Sequence, residues 1–158
     1  MPSPSASRYE SSARRVDVLL RTIQQAGRRR LIDDEIQGAY GAVVVAGVAA
    51  WNSYVVSVVR NFYAEIADPT NTRFHAVHTI ARDIAERMLD RFNAPNAENT
   101  RDLLLRCSGY DPWNDWKWTS RGLNGLAVRN RLNEIVKVRH SFAHGFSMPG
   151  YGWNQSPS

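Results

Sequence analysis

The stretch IQGAYGAVVVAGVAAWNSYVVSVV, residues 36–59, decides the fold. It runs for 24 consecutive residues without a formal charge. That is long enough to span a bilayer, and Gly38, Ala42 and Ala46 form a small-residue ladder of the kind found between membrane helices. Gln37 and Tyr40 at its start, with Asn52, Ser53, Tyr54 and Ser57 in its second half, point the other way. A helix surrounded by amphipathic partners must also be apolar nearly all round. The expectation is therefore a buried central helix and no membrane. It opens at Asp33, Asp34 and Glu35, acids at the favourable end of the dipole, and runs toward Ile66 before Pro69.

Helical spacing continues on both sides of this segment. Val16, Leu19, Leu20, Ile23 and Ala26 predict an amphipathic helix from Tyr9 to Arg30, ending in the Arg28–Arg30 run, after a short flexible lead at residues 1–8. A third helix is expected from the capping pair Asn71 and Thr72 to Phe92. A loop at Asn93–Asn96 follows, then a short helix from Glu98 to Cys107 that turns Leu103, Leu104 and Leu105 inward. Ser108 to Gly122, with Trp113, Trp116 and Trp118, predicts an ordered, aromatic-anchored loop. The last helix spans about Asn124 to Ala143, with Leu126, Leu132, Ile135, Val136 and Phe142 as core candidates and Gly145 as its cap. No period-two alternation is sustained and no internal repeat is found. These elements predict an all-α bundle of four or five helices, one domain over residues 9–146 with a tail at 147–158.

Composition sets the outer bounds. A chain of 158 residues with 43% apolar and 22% charged residues can bury a core and is not a disordered polymer. The single cysteine, Cys107, excludes an internal disulfide and suits a reducing cytosol. Met1–Ser12 contains no apolar run of the kind a secretory signal needs, so a cytoplasmic protein is expected. Charge is segregated. Residues 1–30 carry seven arginines against two acids, residues 31–116 seven basic against twelve acidic groups, and residues 117–158 six basic groups against Glu134. Two basic ends around an acidic middle favour a polyanion such as RNA. The plainer alternative is a solvated surface on a chain that prefers arginine, of which it has 18 against two lysines.

The chemistry-bearing candidates are histidine and arginine. His75, His78, His140 and His144 are the four histidines, and two of them close an Arg-x-x-x-x-His spacing, Arg73 to His78 and Arg139 to His144. The first pair, flanked by Phe74, Val77 and Ile80, is expected to be a surface or half-buried accident. The second ends the last helix in Lys137-Val-Arg-His-Ser-Phe-Ala-His-Gly145, within a basic stretch. His140 and His144 also have the i,i+4 spacing of zinc ligands, but Ser141 stands where a His-Glu-x-x-His protease carries its glutamate, so no metal is expected. Read by residue type alone, the motif is more simply a helix end where Arg139 pairs with an acid and His144 caps.

The segment Val138-Arg-His-Ser-Phe-Ala-His-Gly145 resembles the terminal motif of HEPN domains, and within them the bacterial RiboL-PSP-HEPN subgroup. Two further features are similar to that subgroup: the long apolar helix echoed by Val43–Tyr54, and a tryptophan-bearing loop before the last helix echoed by Trp116-Lys-Trp118. The similarity spans about residues 35–146 and leaves the amino-terminal arginine helix unexplained. It implies a metal-independent, cofactor-free endoribonuclease acting as a homodimer whose two motifs share one cleft. It also implies a toxin or defence effector, paired with an antitoxin or regulatory protein. Phe146 stands where antitoxin-paired members often carry a modified tyrosine.

The residues fit that chemistry. Metal-free cleavage of RNA needs a base for the 2′-hydroxyl, a proton for the leaving oxygen and a cation for the phosphorane. Histidine exchanges protons near neutral pH, and arginine presents a charged fork to phosphate. The resemblance assigns proton transfer to His144, charge stabilisation to Arg139 and orientation to His140. Arg121, Arg129, Arg131 and Trp118 are candidates for RNA binding, Trp118 by stacking on unpaired bases. Five residues place Arg139 and His144 about 140° apart on an ideal helix, so the last turn must unwind, Arg139 must reach round, or a second copy must complete the site. The alternative function is a catalytically silent module that dimerises or binds RNA or a protein.

Overall fold

The computed structural model describes residues 3–27, 33–145 and 149–151. Among these, the chain forms five α-helices: α1 (Pro4–Gly27), α2 (Asp33–Glu65), α3 (Thr72–Leu89), α4 (Ala97–Ser108) and α5 (Gly125–His144). Single 3-10 turns at Pro112–Asn114 and Thr119–Arg121 shape the α4–α5 connection, where Trp118 and Leu123 form an isolated bridge. The all-α bundle is thus as expected from the sequence.

Three of the helices open on an asparagine whose side chain accepts from the backbone N–H three residues on. These are Asn71 to Phe74 (3.1 Å), Asn96 to Asn99 (2.7 Å) and Asn124 to Ala127 (2.9 Å). Each amide satisfies an otherwise unpaired donor of the first turn. α1 opens by the same logic earlier than expected. The Ser3 hydroxyl accepts from the Ala6 N–H (3.2 Å), and Pro4 occupies the first helical position, where its missing N–H costs nothing. Residues 4–8 are therefore helical rather than a flexible lead, while Arg28–Arg30 lie outside the described residues. α3 stops at Leu89 rather than Phe92, because its end tightens into i→i+3 bonds, Arg91 N–H to Met88 O (3.2 Å) and Phe92 N–H to Leu89 O (3.0 Å).

α2 is the hub, touching each of the other four helices. α1 lies antiparallel along it: Asn61 Nδ2 donates to Ser5 Oγ (2.6 Å), and the Tyr9 and Tyr54 rings lie 4.9 Å apart. One core gathers Val55, Val59 and Tyr63 of α2, Ala85 and Leu89 of α3, and Leu103 and Cys107 of α4. Burial pushes the Cys107 thiol up from its ordinary value, which suits packing rather than nucleophilic chemistry. By length and composition Gln37–Glu65 could cross a membrane, and only 22% of its most apolar window is buried within this chain. The central helix is thus contacted by all the others but is less enclosed than the sequence predicts. Its partners cover part of its circumference, and most of Val43–Val59 is half-buried.

α5 returns antiparallel on α2, with the loop before it at Trp51 and its last turn at Gly41. The Trp116 and Trp51 rings meet edge-on at 6.1 Å, and a Cβ at Gly41 would fall 2.2 Å from the nearest Phe142 ring carbon. Gly41 is therefore the close-approach point between the two helices. The inward residue of α5 is Val138, 1% exposed, whereas Leu126 is 57% exposed and Phe142 is only partly covered by Gly41. These two expected core residues sit at the ends of α5, where fewer elements overlie it.

Candidate functional site

The last two turns of α5 carry the terminal motif, and the helix stays regular through His144. Gly145 then caps it in the left-handed region at φ +68°, a conformation that favours glycine, its N–H bonded to the Phe142 and Ser141 carbonyls. His140 and His144, one turn apart, bring their rings to 4.4 Å centroid separation, tilted by 51°. A cavity of about 440 Å³ opens beside them between α5 and the loop Asn93–Pro95. Lys137, Arg139, His140 and Ser141 form its α5 side, Asn93, Ala94 and Pro95 its opposite side, and Val48 and Val136 part of its apolar wall. Pro149 and Tyr151, from the segment expected to be a tail, also line it.

Of the three motif residues, Arg139 and His140 face this cavity directly, and His144 joins them through its ring contact with His140. Because α5 does not unwind, the route to a joint Arg139–His144 site by a loosened last turn is not taken.

The loop wall is held by side chains from three helices. Asn99 Nδ2 donates to the Ala94 carbonyl (2.9 Å) and Trp51 Nε1 to the Pro95 carbonyl (3.1 Å). Asn133 of α5 accepts from the buried Ala97 N–H (2.8 Å) and donates to the Glu98 carboxylate (2.9 and 3.1 Å). Asn133 thereby fixes the start of α4, and with it the loop, against the helix that carries the motif. Neither Asn93 nor Asn133 was singled out by the sequence. Asn93-Ala-Pro-Asn marks a loop, but nothing local tells which helix it faces.

The four RNA-binding candidates divide. Trp118 is 54% exposed and Arg121 stands over its ring at 5.7 Å, both presented by the small loop that the Trp118–Leu123 bridge closes. Arg129 instead stacks on Trp113 at 4.2 Å and donates to the Gly125 carbonyl at 3.2 Å. Arg101 covers the same ring at 4.3 Å while forking onto Asp111, so Trp113 is held between two guanidiniums. Arg131 pairs with Glu134 at 3.6 Å. Trp116 anchors its loop on Trp51, as expected.

The other Arg-x-x-x-x-His pair is split. Arg73 is exposed, while His78 is buried, its Nε2 2.7 Å from the Tyr63 carbonyl. His78 shares the inward face of α3 with Ala85 and Leu89, which corrects the expected surface or half-buried position. Among the described residues no group of three or more His, Cys, Asp or Glu side chains stands together as a metal site.

Comparison of the chain with protein-family models, with curated proteins and with solved structures found no match.

Proposed function

We propose that this chain is a metal-independent endoribonuclease of the HEPN type, active as a homodimer in the cytoplasm. What supports the reading above all is that Arg139 and His140, singled out by motif alone, line a cavity beside which the His144 ring packs against His140. In this reading an RNA strand lies across the end of α5. His144 exchanges the proton as the 2′-hydroxyl attacks the adjacent phosphorus, and the bond to the 5′-oxygen breaks. Arg139 faces the developing charge on the phosphorane, and His140 orients the His144 ring or the substrate. The products are a 2′,3′-cyclic phosphate and a 5′-hydroxyl. A second copy across a two-fold axis brings its own motif to the same cleft, overcoming the angular separation of Arg139 and His144 on one regular helix. Arg121 and Trp118, both accessible, contact the strand farther out. A toxin or defence role, restrained by a partner protein, completes the proposal.

The test is cleavage of single-stranded RNA in excess EDTA. Wild-type protein is expected to cut and leave cyclic phosphate ends. Arg139→Ala and His144→Ala are expected to lose about two to four orders of magnitude in rate, the scale of one proton-transfer or oxyanion-stabilising group. Activity that appears only with added divalent metal removes the proposed roles.

A silent binding module is the second reading, favoured by the apolar face of α3, where Val77 and Ile80 are 65% and 62% exposed. Growth of bacteria overexpressing the chain separates the two. Arrest by the wild type and relief by His144→Ala supports the nuclease; equal tolerance supports the module.

A further inference from the structure

The cavity beside Arg139 has an asymmetry that a phosphate site alone does not require. Its lining joins two cations, Lys137 and Arg139, to apolar surface from Val48, Pro95 and Val136. Its volume, about 440 Å³, lies at the small-ligand end of protein pockets. We infer that this cavity is a subsite for one unstacked nucleotide of single-stranded RNA, its base in the apolar recess and its phosphate at Lys137 and Arg139. The inference rests on the ribonuclease reading for the identity of the polymer, and on the cavity for everything else.

Three observations carry it. First, cationic and apolar surface meet in one cavity, as the phosphate and the base meet in one nucleotide. Second, the wall is rigid where a flat ring would press against it, since the Ala94 and Pro95 carbonyls are held by Asn99 and Trp51. Third, Asn93 lines the cavity, is exposed, and its side chain makes no hydrogen bond with another described residue. A carboxamide offers a donor and an acceptor side by side, the pattern that reads a base along its pairing edge. Such an edge is free only in unpaired RNA, because a duplex hides it and is recognised by shape and backbone.

Calorimetric titration of the wild-type protein with the four nucleoside 3′-monophosphates, the four nucleosides and inorganic phosphate tests this without cleavage. At least one monophosphate is expected to bind about tenfold or more tighter than inorganic phosphate, the scale of a single base contact. Asn93→Ala is expected to remove that preference while leaving phosphate binding unchanged. Val136→Phe, which fills the recess from the α5 side, is expected to do the same. Equal affinity for phosphate and every monophosphate overturns the subsite, with no variant needed. So does a preference that survives both substitutions in folded protein. Selective nucleotide binding with no EDTA-resistant cleavage keeps the subsite and removes the nuclease reading. Cleavage with no such selectivity does the reverse.

Discussion

Replacing Gly41 by alanine isolates the contact that seats the motif helix. In an ordinary helix interior the change stabilises by about 0.5–1 kcal/mol, since alanine loses less backbone freedom on folding. Here the new methyl group would lie only 2.2–2.8 Å from Cδ2, Cε2 and Cγ of Phe142, so the whole ring must swing away. Overpacking of that kind costs about 1–3 kcal/mol. The sum is a net loss of about 1 kcal/mol, or about 2–4 °C in Tm for a chain of this size. Phe142→Ala alone should cost about 2 kcal/mol, less than a fully buried phenylalanine because the ring is partly exposed. The double variant decides the matter. With the ring gone, Gly41→Ala should become stabilising by about 0.5–1 kcal/mol, a reversal of sign and a coupling of about 2 kcal/mol. Urea unfolding of the four proteins, followed by circular dichroism, measures the cycle. Gly41→Ala should also slow RNA cleavage, because the displaced ring pushes the end of α5, with Arg139 and His140, off α2. Additive effects, or stabilisation by Gly41→Ala in the wild-type background, would refute this account of how α5 is seated.

Other outcomes follow from the same geometry. Asn133→Ala strands the buried Ala97 N–H and frees the Asn93–Pro95 wall; it should cost about 2 kcal/mol and lower Tm by about 4–8 °C, and a change under about 0.5 kcal/mol would show that the two bonds do not hold the wall. The Asp111 carboxyl is held below its usual value, first by its hydrogen bonds from Arg101 and then by the Trp113 N–H. Its contribution is therefore fully present above the ordinary carboxylate range near pH 4 and is lost as pH falls through the depressed value. The difference in Tm between wild type and Asp111→Asn should accordingly shrink as pH falls from about 5 to 2, and a constant or widening gap counts against the Arg101–Asp111 fork.

Much of the fold could be read along the chain, because helix ends are written in local chemistry. Asn71, Asn124 and Gly145 lie where the bundle uses them. The start of α1 was equally legible, since Ser3-Pro4 is a cap followed by a favourable first residue; the weight given to small polar composition hid it. Burial was harder to read. Periodicity marks Leu126, Leu132, Ile135, Val136 and Phe142 as core positions of α5 without saying where the other helices end, and the α5 residue under full cover is Val138, which it passes over. His78 was misplaced because its partner, the Tyr63 carbonyl, lies on another helix. For the site, the motif identified one side of the cavity. The facing side, Asn93 to Pro95, and its tether through Asn133 depend on contacts across 35 residues or more, such as Glu98 to Asn133, which leave no local trace. Arg129 drew attention as a cation, yet its charge is spent on Trp113, whose position relative to it only the folded loop defines.

The order in which the chain is made bears on when this protein can act. Val48 and the Asn93–Pro95 wall are synthesised well before α5, and an emerging chain that stops at α4 has none of the α5 residues that line the cavity. On the proposed function, the nascent chain cannot cut RNA until α5, with Arg139 and His144, has been made and docks on Gly41. A destructive enzyme built in this sequence would spare the ribosome that is making it.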